Sequence, residues 1–135
     1  MSRYFRTVLL ICGAAVLSLS AIADDESPQL IAIKFHADWC GSCKRMGNTF
    51  EELQQKHDTL PVLYLVLDHT RRYDRDQSAF HMQTLGLENI WDEYGGKTGF
   101  VLLVDPQSSE VVARLTHEHT LKDMGKAISG LVMEG

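Results

Sequence analysis

Apolar residues run almost unbroken through Leu30-Ile31-Ala32-Ile33-Lys34-Phe35-His36-Ala37, which predicts a buried strand carrying one lysine. A short polar lead-in, Asp24 to Gln29, precedes it. From Cys43 to about His57 the period changes. Met46, Phe50 and Leu53 fall on one side at helical spacing, and Lys44, Arg45, Glu51, Glu52, Gln55 and Lys56 on the other, which predicts an amphipathic helix. Asp58-Thr59-Leu60-Pro61 breaks the pattern. Val62-Leu63-Tyr64-Leu65-Val66-Leu67 then predicts a second buried strand, of the kind found in a parallel sheet covered on both faces. The stretch from Asp68 to Thr98 opens on Arg71, Arg72, Asp74, Arg75 and Asp76, a solvated charge-mixed segment. It continues with the anchors Phe80, Leu85, Leu87, Ile90, Trp91 and Tyr94. One or two helices are expected there, broken near Gly86. Beyond the loop Gly95-Gly96-Lys97-Thr98-Gly99, Phe100 to Val104 reads as a third strand. A turn at Asp105-Pro106-Gln107-Ser108-Ser109 leads to Glu110 to Leu115, a fourth strand forming an antiparallel hairpin with the third. Thr120 caps a last helix to about Met133. The element order is β-α-β-α-β-β-α, an α/β chain without repeats or low-complexity tracts.

Chemistry enters between the first strand and its helix, at Trp39-Cys40-Gly41-Ser42-Cys43-Lys44. Two cysteines three apart, at a strand-to-helix junction, fit reversible thiol–disulfide exchange. The helix turn brings the side chains together. The first sulfur sits where unpaired N–H groups and the helix dipole favour a thiolate. Cys40 is the expected nucleophile and Cys43 the resolving thiol, less exposed within the first turn. The competing reading is half of a metal site. Zinc needs four ligands, and His117 and His119 lack finger spacing, so no metal is assigned. A copper carrier using the same thiolates is the alternative. No cofactor is expected.

The N-terminus changes the picture of the ends. Arg3 and Arg6, an apolar run from Val8 to Leu19, and Ala21-Ile22-Ala23 before Asp24-Asp25-Glu26 match a secretory signal peptide cut after Ala23. Its core of about a dozen residues is short of the roughly 20 of a membrane helix. An uncleaved anchor is the alternative. Cys12 does not make a lipoprotein site, because Ile11 precedes it and the apolar run continues beyond it. Residues 1–23 are read as signal and 24–135 as one domain, exported to the periplasm. Its charge, 11 basic against 18 acidic residues once Arg3 and Arg6 leave, argues against nucleic acid or an anionic membrane as partner. Cys40 and Cys43 then remain as the only cysteines. A pair closing so short a loop stabilises little, so reactivity explains it better than a structural staple.

Phe35-His36-Ala37-Asp38-Trp39-Cys40-Gly41-Ser42-Cys43-Lys44 resembles the active-site segment of thioredoxin-like proteins, particularly secreted bacterial thiol–disulfide oxidoreductases. The resemblance implies a thioredoxin-like fold over about Leu30 to Met133, a central mixed sheet flanked by helices. The N-terminal β-α unit of ordinary thioredoxin is largely missing, with 16 residues between the predicted cut and Cys40. It implies exchange with protein thiols and disulfides, a redox partner protein that resets the pair, and a monomer. The reductase direction is slightly favoured over oxidation, and a scaffold acting through protein contacts is a further alternative.

By the same resemblance Trp39 shapes the surface around the nucleophile. Gly41-Ser42 stands where ordinary thioredoxin has Gly-Pro. Ser42 could donate to a thiolate, and a pair less reducing than thioredoxin's roughly −270 mV is expected. Lys34 occupies the position of the family's buried aspartate, six before Cys40. A desolvated ammonium could tune the thiol pKa, or the amine could snorkel past the sheet edge. His36, on the same face, is a weaker candidate base. Asp38 is expected on the surface. Gly99 takes the slot of the family's cis-proline. A trans Thr98–Gly99 bond is expected, with Thr98 and Gly99 still offering close backbone approach to substrate. Trp91 and Tyr94 are possible exposed contacts on a partner-selecting segment.

Overall fold

The structure is a computed structural model that describes residues 27–134. The signal-peptide reading of residues 1–23, its cleavage point and Cys12 lie outside the described residues. The strands are β1 (Leu30–His36), β2 (Val62–Asp68), β3 (Phe100–Asp105) and β4 (Glu110–Thr116). The helices are α1 (Gly41–Met46), α2 (Thr49–Lys56), α3 (Arg72–Thr84), α4 (Glu88–Tyr94) and α5 (Leu121–Glu134). The sheet order is β2-β1-β3-β4. β1 runs parallel to β2, with Lys34 opposite Val66, and antiparallel to β3, with Phe35 opposite Phe100. β4 is antiparallel to β3, with an irregularity at Leu103/Val104.

Alternation along β1 decides which layer each side chain joins. Leu30 and Ala32 pack with Met46, Phe50 and Leu53 of α1 and α2 and with Met124 and Ile128 of α5. Ile31, Ile33 and Phe35 pack with Met82 of α3 and Leu87 and Ile90 around α4. The result is the expected mixed sheet with helices on both faces. Phe35, Phe50 and Phe100 are fully buried, each contributing about 2–3 kcal/mol of hydrophobic stabilisation. Thr120 caps α5 as expected: the Asp123 N–H donates to Thr120 Oγ1 (3.2 Å), and the Thr120 N–H and hydroxyl both donate to the Asp123 carboxylate.

The structure corrects four expectations. The single helix from Cys43 to His57 is two helices. Gly47 takes φ +56°, its N–H donates to the Cys43 carbonyl (3.1 Å), and the Thr49 hydroxyl picks up the Met46 carbonyl (2.7 Å). Met46, Phe50 and Leu53 still reach one core, so the apolar period survives a break that it could not announce. β2 is parallel to β1 and packs into both core layers as expected, but as an edge strand it is only half-buried: Leu67 is buried, Val62 to Leu65 are partly exposed, and Val66 is 50% exposed. Trp91 and Tyr94 are not exposed contacts. Trp91 stacks on buried His69 (5.4 Å between centroids), and Tyr94 packs on Phe35 and Phe100 (6.3 and 6.0 Å). Lys34 does not snorkel past a sheet edge, because β1 is central and the residue is 5% exposed.

Candidate active site

β1 ends at His36, and the chain turns through Ala37-Asp38-Trp39 into α1, with Cys40 as N-cap. That cap uses a sulfur as acceptor: the Cys43 N–H donates to Cys40 Sγ at 3.2 Å. The Cys43 thiol donates in turn towards the Phe35 carbonyl at 3.7 Å. The two sulfurs are not bonded to each other in the structure, and both residues are largely buried.

Burial pushes the Cys40 thiol up, but four hydrogen-bonding contributions outweigh it. They come from the Cys43 and Thr98 side chains and from the Cys43 and Ser42 backbone, and they hold Cys40 below the ordinary thiol range. Burial also pushes Cys43 up, and there the hydrogen bond to Cys40 adds to the shift, so Cys43 stays above that range. Downward pulls from the Ala37 backbone and the Lys34 charge do not reverse it. A thiol that ionises more readily than its neighbour, beside one that holds its proton, is the arrangement that attack followed by resolution requires.

Gly99 closes the site from β3. Its N–H donates to the Phe35 carbonyl (2.8 Å) and its φ is +95°. A Cβ there would lie 2.6 Å from Ser42 Cβ and 3.2 Å from Cys40 Sγ. The Thr98–Gly99 bond is trans, as expected. Thr98 makes no backbone–backbone hydrogen bond among the described residues, and its side chain reaches Cys40. Trp39 stands out from the surface at 61% exposure, held by its indole N–H on the Thr70 carbonyl (3.2 Å). The Asp38 N–H donates to Thr70 Oγ1 (3.0 Å), and Asp68 accepts from the Thr70 N–H and hydroxyl (2.8 and 2.6 Å). Thr70 is thus the peg that fixes the loop before Cys40. Nothing in its sequence neighbourhood marks it.

Lys34 lies on the α1–α2 face of β1, where its ammonium meets Glu51 of α2 at 2.7 Å and the Phe50 ring at 5.6 Å. Burial raises the Glu51 carboxyl, but the hydrogen bond and charge of Lys34 hold it below its ordinary value. The pair is therefore intact above the ordinary carboxylate range, and its stabilisation is lost only as pH falls through that lowered value. Glu51 was invisible as a site residue, because it reads as one more charge on an exposed helix face. Its side chain is 48% exposed, which makes the two partners unequal. Glu51→Ala leaves a buried ammonium unpaired and is expected to cost about 2 kcal/mol, whereas Lys34→Met leaves a carboxylate that water can solvate and costs less than about 1 kcal/mol. Urea unfolding of the two variants checks the order. The reverse order would mean that the pair is solvated in solution.

His36 Nε2 lies 3.2 Å from Asp38 Oδ1, and Asp38 is a surface carboxylate as expected. Arg45 folds back over the turn between the cysteines, its Nη2 donating to Ser42 Oγ at 3.1 Å. Ser42 is thus an acceptor there. The described residues offer two ligating sulfurs, and among them no group of three or more His, Cys, Asp or Glu could hold a metal.

The family model described as Thioredoxin matches residues 19–83, ending within α3. Thioredoxin domain-containing protein 2 of Rattus norvegicus is 30% identical over 78 residues, covering 58% of this chain and 14% of that protein. A thioredoxin of Ictalurus punctatus is 33% identical over 51 residues, covering 38% of this chain and 48% of that protein. The chain spans less than half the length of either relative. A thiol:disulfide interchange protein of the thioredoxin family from Chlorobium tepidum TLS superposes with a TM-score of 0.54 at 15% identity, over 79% of this chain and 82% of that one. That likeness extends the shared fold beyond the segment matched by the family model.

Proposed function

We propose that this chain, whose residues 19–83 match the family model described as Thioredoxin, is a thiol–disulfide oxidoreductase of that family acting on protein cysteines through Cys40 and Cys43. The opposite displacement of the two thiols carries the reading: Cys40 is held low and Cys43 high. The Cys40 thiolate attacks one sulfur of a partner disulfide. The partner's S–S bond breaks, and the departing sulfur takes the electron pair and then a proton. A mixed disulfide joins Cys40 to the other partner sulfur. Cys43 gives up its proton and attacks Cys40 Sγ, and the second partner thiolate leaves. The partner gains two electrons and the Cys40–Cys43 pair becomes a disulfide, which a dithiol donor protein reduces again.

Trp39, exposed beside the nucleophile, and the unpaired main chain of Thr98 next to Gly99 form the proposed substrate rest. Lys34 serves as a tuning charge beneath Cys43. Reduction is the proposed net direction. Residues 24–135 form the working monomer in the periplasm after removal of residues 1–23.

The test is capture. Cys43→Ser, incubated with insulin, is expected to accumulate a covalent adduct through Cys40 that dithiothreitol releases. The absence of any adduct would sink the exchange mechanism and favour a metal-carrier or scaffold role for the same segment.

A further inference from the structure

The turn between the two cysteines carries an exposed, unpaired guanidinium that exchange chemistry alone does not use. We propose that the rim around the two sulfurs selects partners whose reacting cysteine is flanked by carboxylates, with Arg45 as the principal specificity-determining residue. The proposal rests on the oxidoreductase reading above and names its substrate class.

Arg45 is central because of where its guanidinium lies. Nη2 donates to Ser42 Oγ at 3.1 Å, and Nη1 lies 3.6 Å from where a Cβ on Gly41 would be. The guanidinium therefore covers the dipeptide between the two sulfurs. It is exposed, forms no salt bridge among the described residues, and keeps donors free for a carboxylate fork. Lys97, two residues before Gly99, sits 5.2 Å over the Tyr94 ring. The Arg75 guanidinium lies 3.3 Å from where a Cβ on Gly96 would be, in the same loop. Lys44 follows Cys43, and Arg72 opens α3 two residues after the Thr70 peg. None of these cations has a carboxylate within salt-bridge distance among the described residues.

Of the carboxylates at this end, Asp74 alone has a cationic partner, while Asp38 and Asp68 are hydrogen-bonded and keep their charge. Asp38 faces His36 at 3.2 Å, Asp68 accepts both donors of Thr70, and Asp74 is bridged by Arg71 at 2.7 Å. In a chain of formal net charge −5, the Arg45 guanidinium thus stands without a carboxylate partner over the turn between the two sulfurs. Such a charge raises the encounter rate with negative partners and repels positive ones. Because the reacting atom of the partner is a sulfur, the ligand is a cysteine-bearing acidic protein segment rather than a free anion.

The experiment uses two disulfide-bridged peptides that differ only in flanking residues, glutamate in one and lysine in the other. At about 20 mM NaCl, kcat/KM for the glutamate peptide is expected to exceed that for the lysine peptide by about tenfold, with the ratio falling towards one at about 500 mM. Arg45→Gln is expected to reduce the low-salt ratio at least threefold, and Arg45→Lys to retain most of it. Equal rates for the two peptides in the wild type overturn the proposal, as does a ratio that neither salt nor Arg45→Gln changes. A chain that reduces neither peptide fails the oxidoreductase reading itself, a result distinct from reducing both alike.

Discussion

Cys40→Ser is expected to abolish disulfide reduction down to the uncatalysed exchange rate while leaving the fold intact. A serine hydroxyl is not ionised at neutral pH, so the 3.2 Å donor from the Cys43 N–H has no thiolate to stabilise. Cys43 cannot substitute for it. Burial and the contact with Cys40 keep Cys43 protonated, and it lies deeper in the turn. The same asymmetry fixes the pH dependence. Cys40 is held below the ordinary thiol range, so iodoacetamide is expected to label it with a midpoint below that of a free cysteine. Cys43 stays unlabelled until above the free-cysteine midpoint. Peptide mapping after timed labelling separates the two sites. Equal labelling of both sulfurs across the pH range would show that the pair is not polarised, and a Cys40→Ser protein that still turns over would place the nucleophile elsewhere. Stability is expected to change by less than about 1 kcal/mol, because the substitution is near-isosteric.

The periodic elements were legible in the sequence, and their interruptions were not. Leu30 to Phe35 and Phe100 to Val104 are long apolar runs, and they form the two central, buried strands. Val62 to Leu67 has the same composition and became an edge. The run reports how apolar a strand is but not how many neighbours it will have. Gly86 correctly marked the α3–α4 break at φ +69°, while Gly47 hid inside an intact apolar period. At the site, the cysteine spacing announced the chemistry, and Gly99 was placed by resemblance. Thr70, Glu51 and Arg45 act through contacts set by tertiary packing. Thr70 lies 31 residues from Trp39, and Glu51 lies 17 from Lys34. No local pattern encodes either distance. Trp91 and Tyr94 were misread because an aromatic on a charged helix looks like a contact residue, when here both rings close the core around Phe35 and His69.

Gly99→Val is the substitution expected to damage both stability and activity most without touching a sulfur. Two separate costs meet at one atom. The backbone φ of +95° lies where a β-branched residue is strained, and that alone costs about 1–3 kcal/mol. The new Cβ would also stand 2.6 Å from Ser42 Cβ and 3.2 Å from Cys40 Sγ, closer than packing permits. Relieving that overlap costs about 1–3 kcal/mol more. Relief has two routes. The loop can withdraw, breaking the Gly99 N–H bond to the Phe35 carbonyl (2.8 Å) and carrying the Thr98 side chain away from Cys40. Otherwise the first turn of α1 can shift, which disturbs the sulfur cap. Either route removes a contribution that lowers the Cys40 thiol, so the labelling midpoint should rise towards that of an ordinary thiol as turnover falls. Gly99→Ala should show the same pattern to a smaller degree. Gly47 also has positive φ, +56°, but a Cβ there meets nothing within 4 Å. Gly47→Ala is therefore the control: it carries backbone strain without the contact at Cys40, and should lower stability while leaving the midpoint in place. If Gly99→Val lowered the melting temperature but left the Cys40 midpoint unchanged, the close approach of this loop would be structural only, with no part in setting the thiolate.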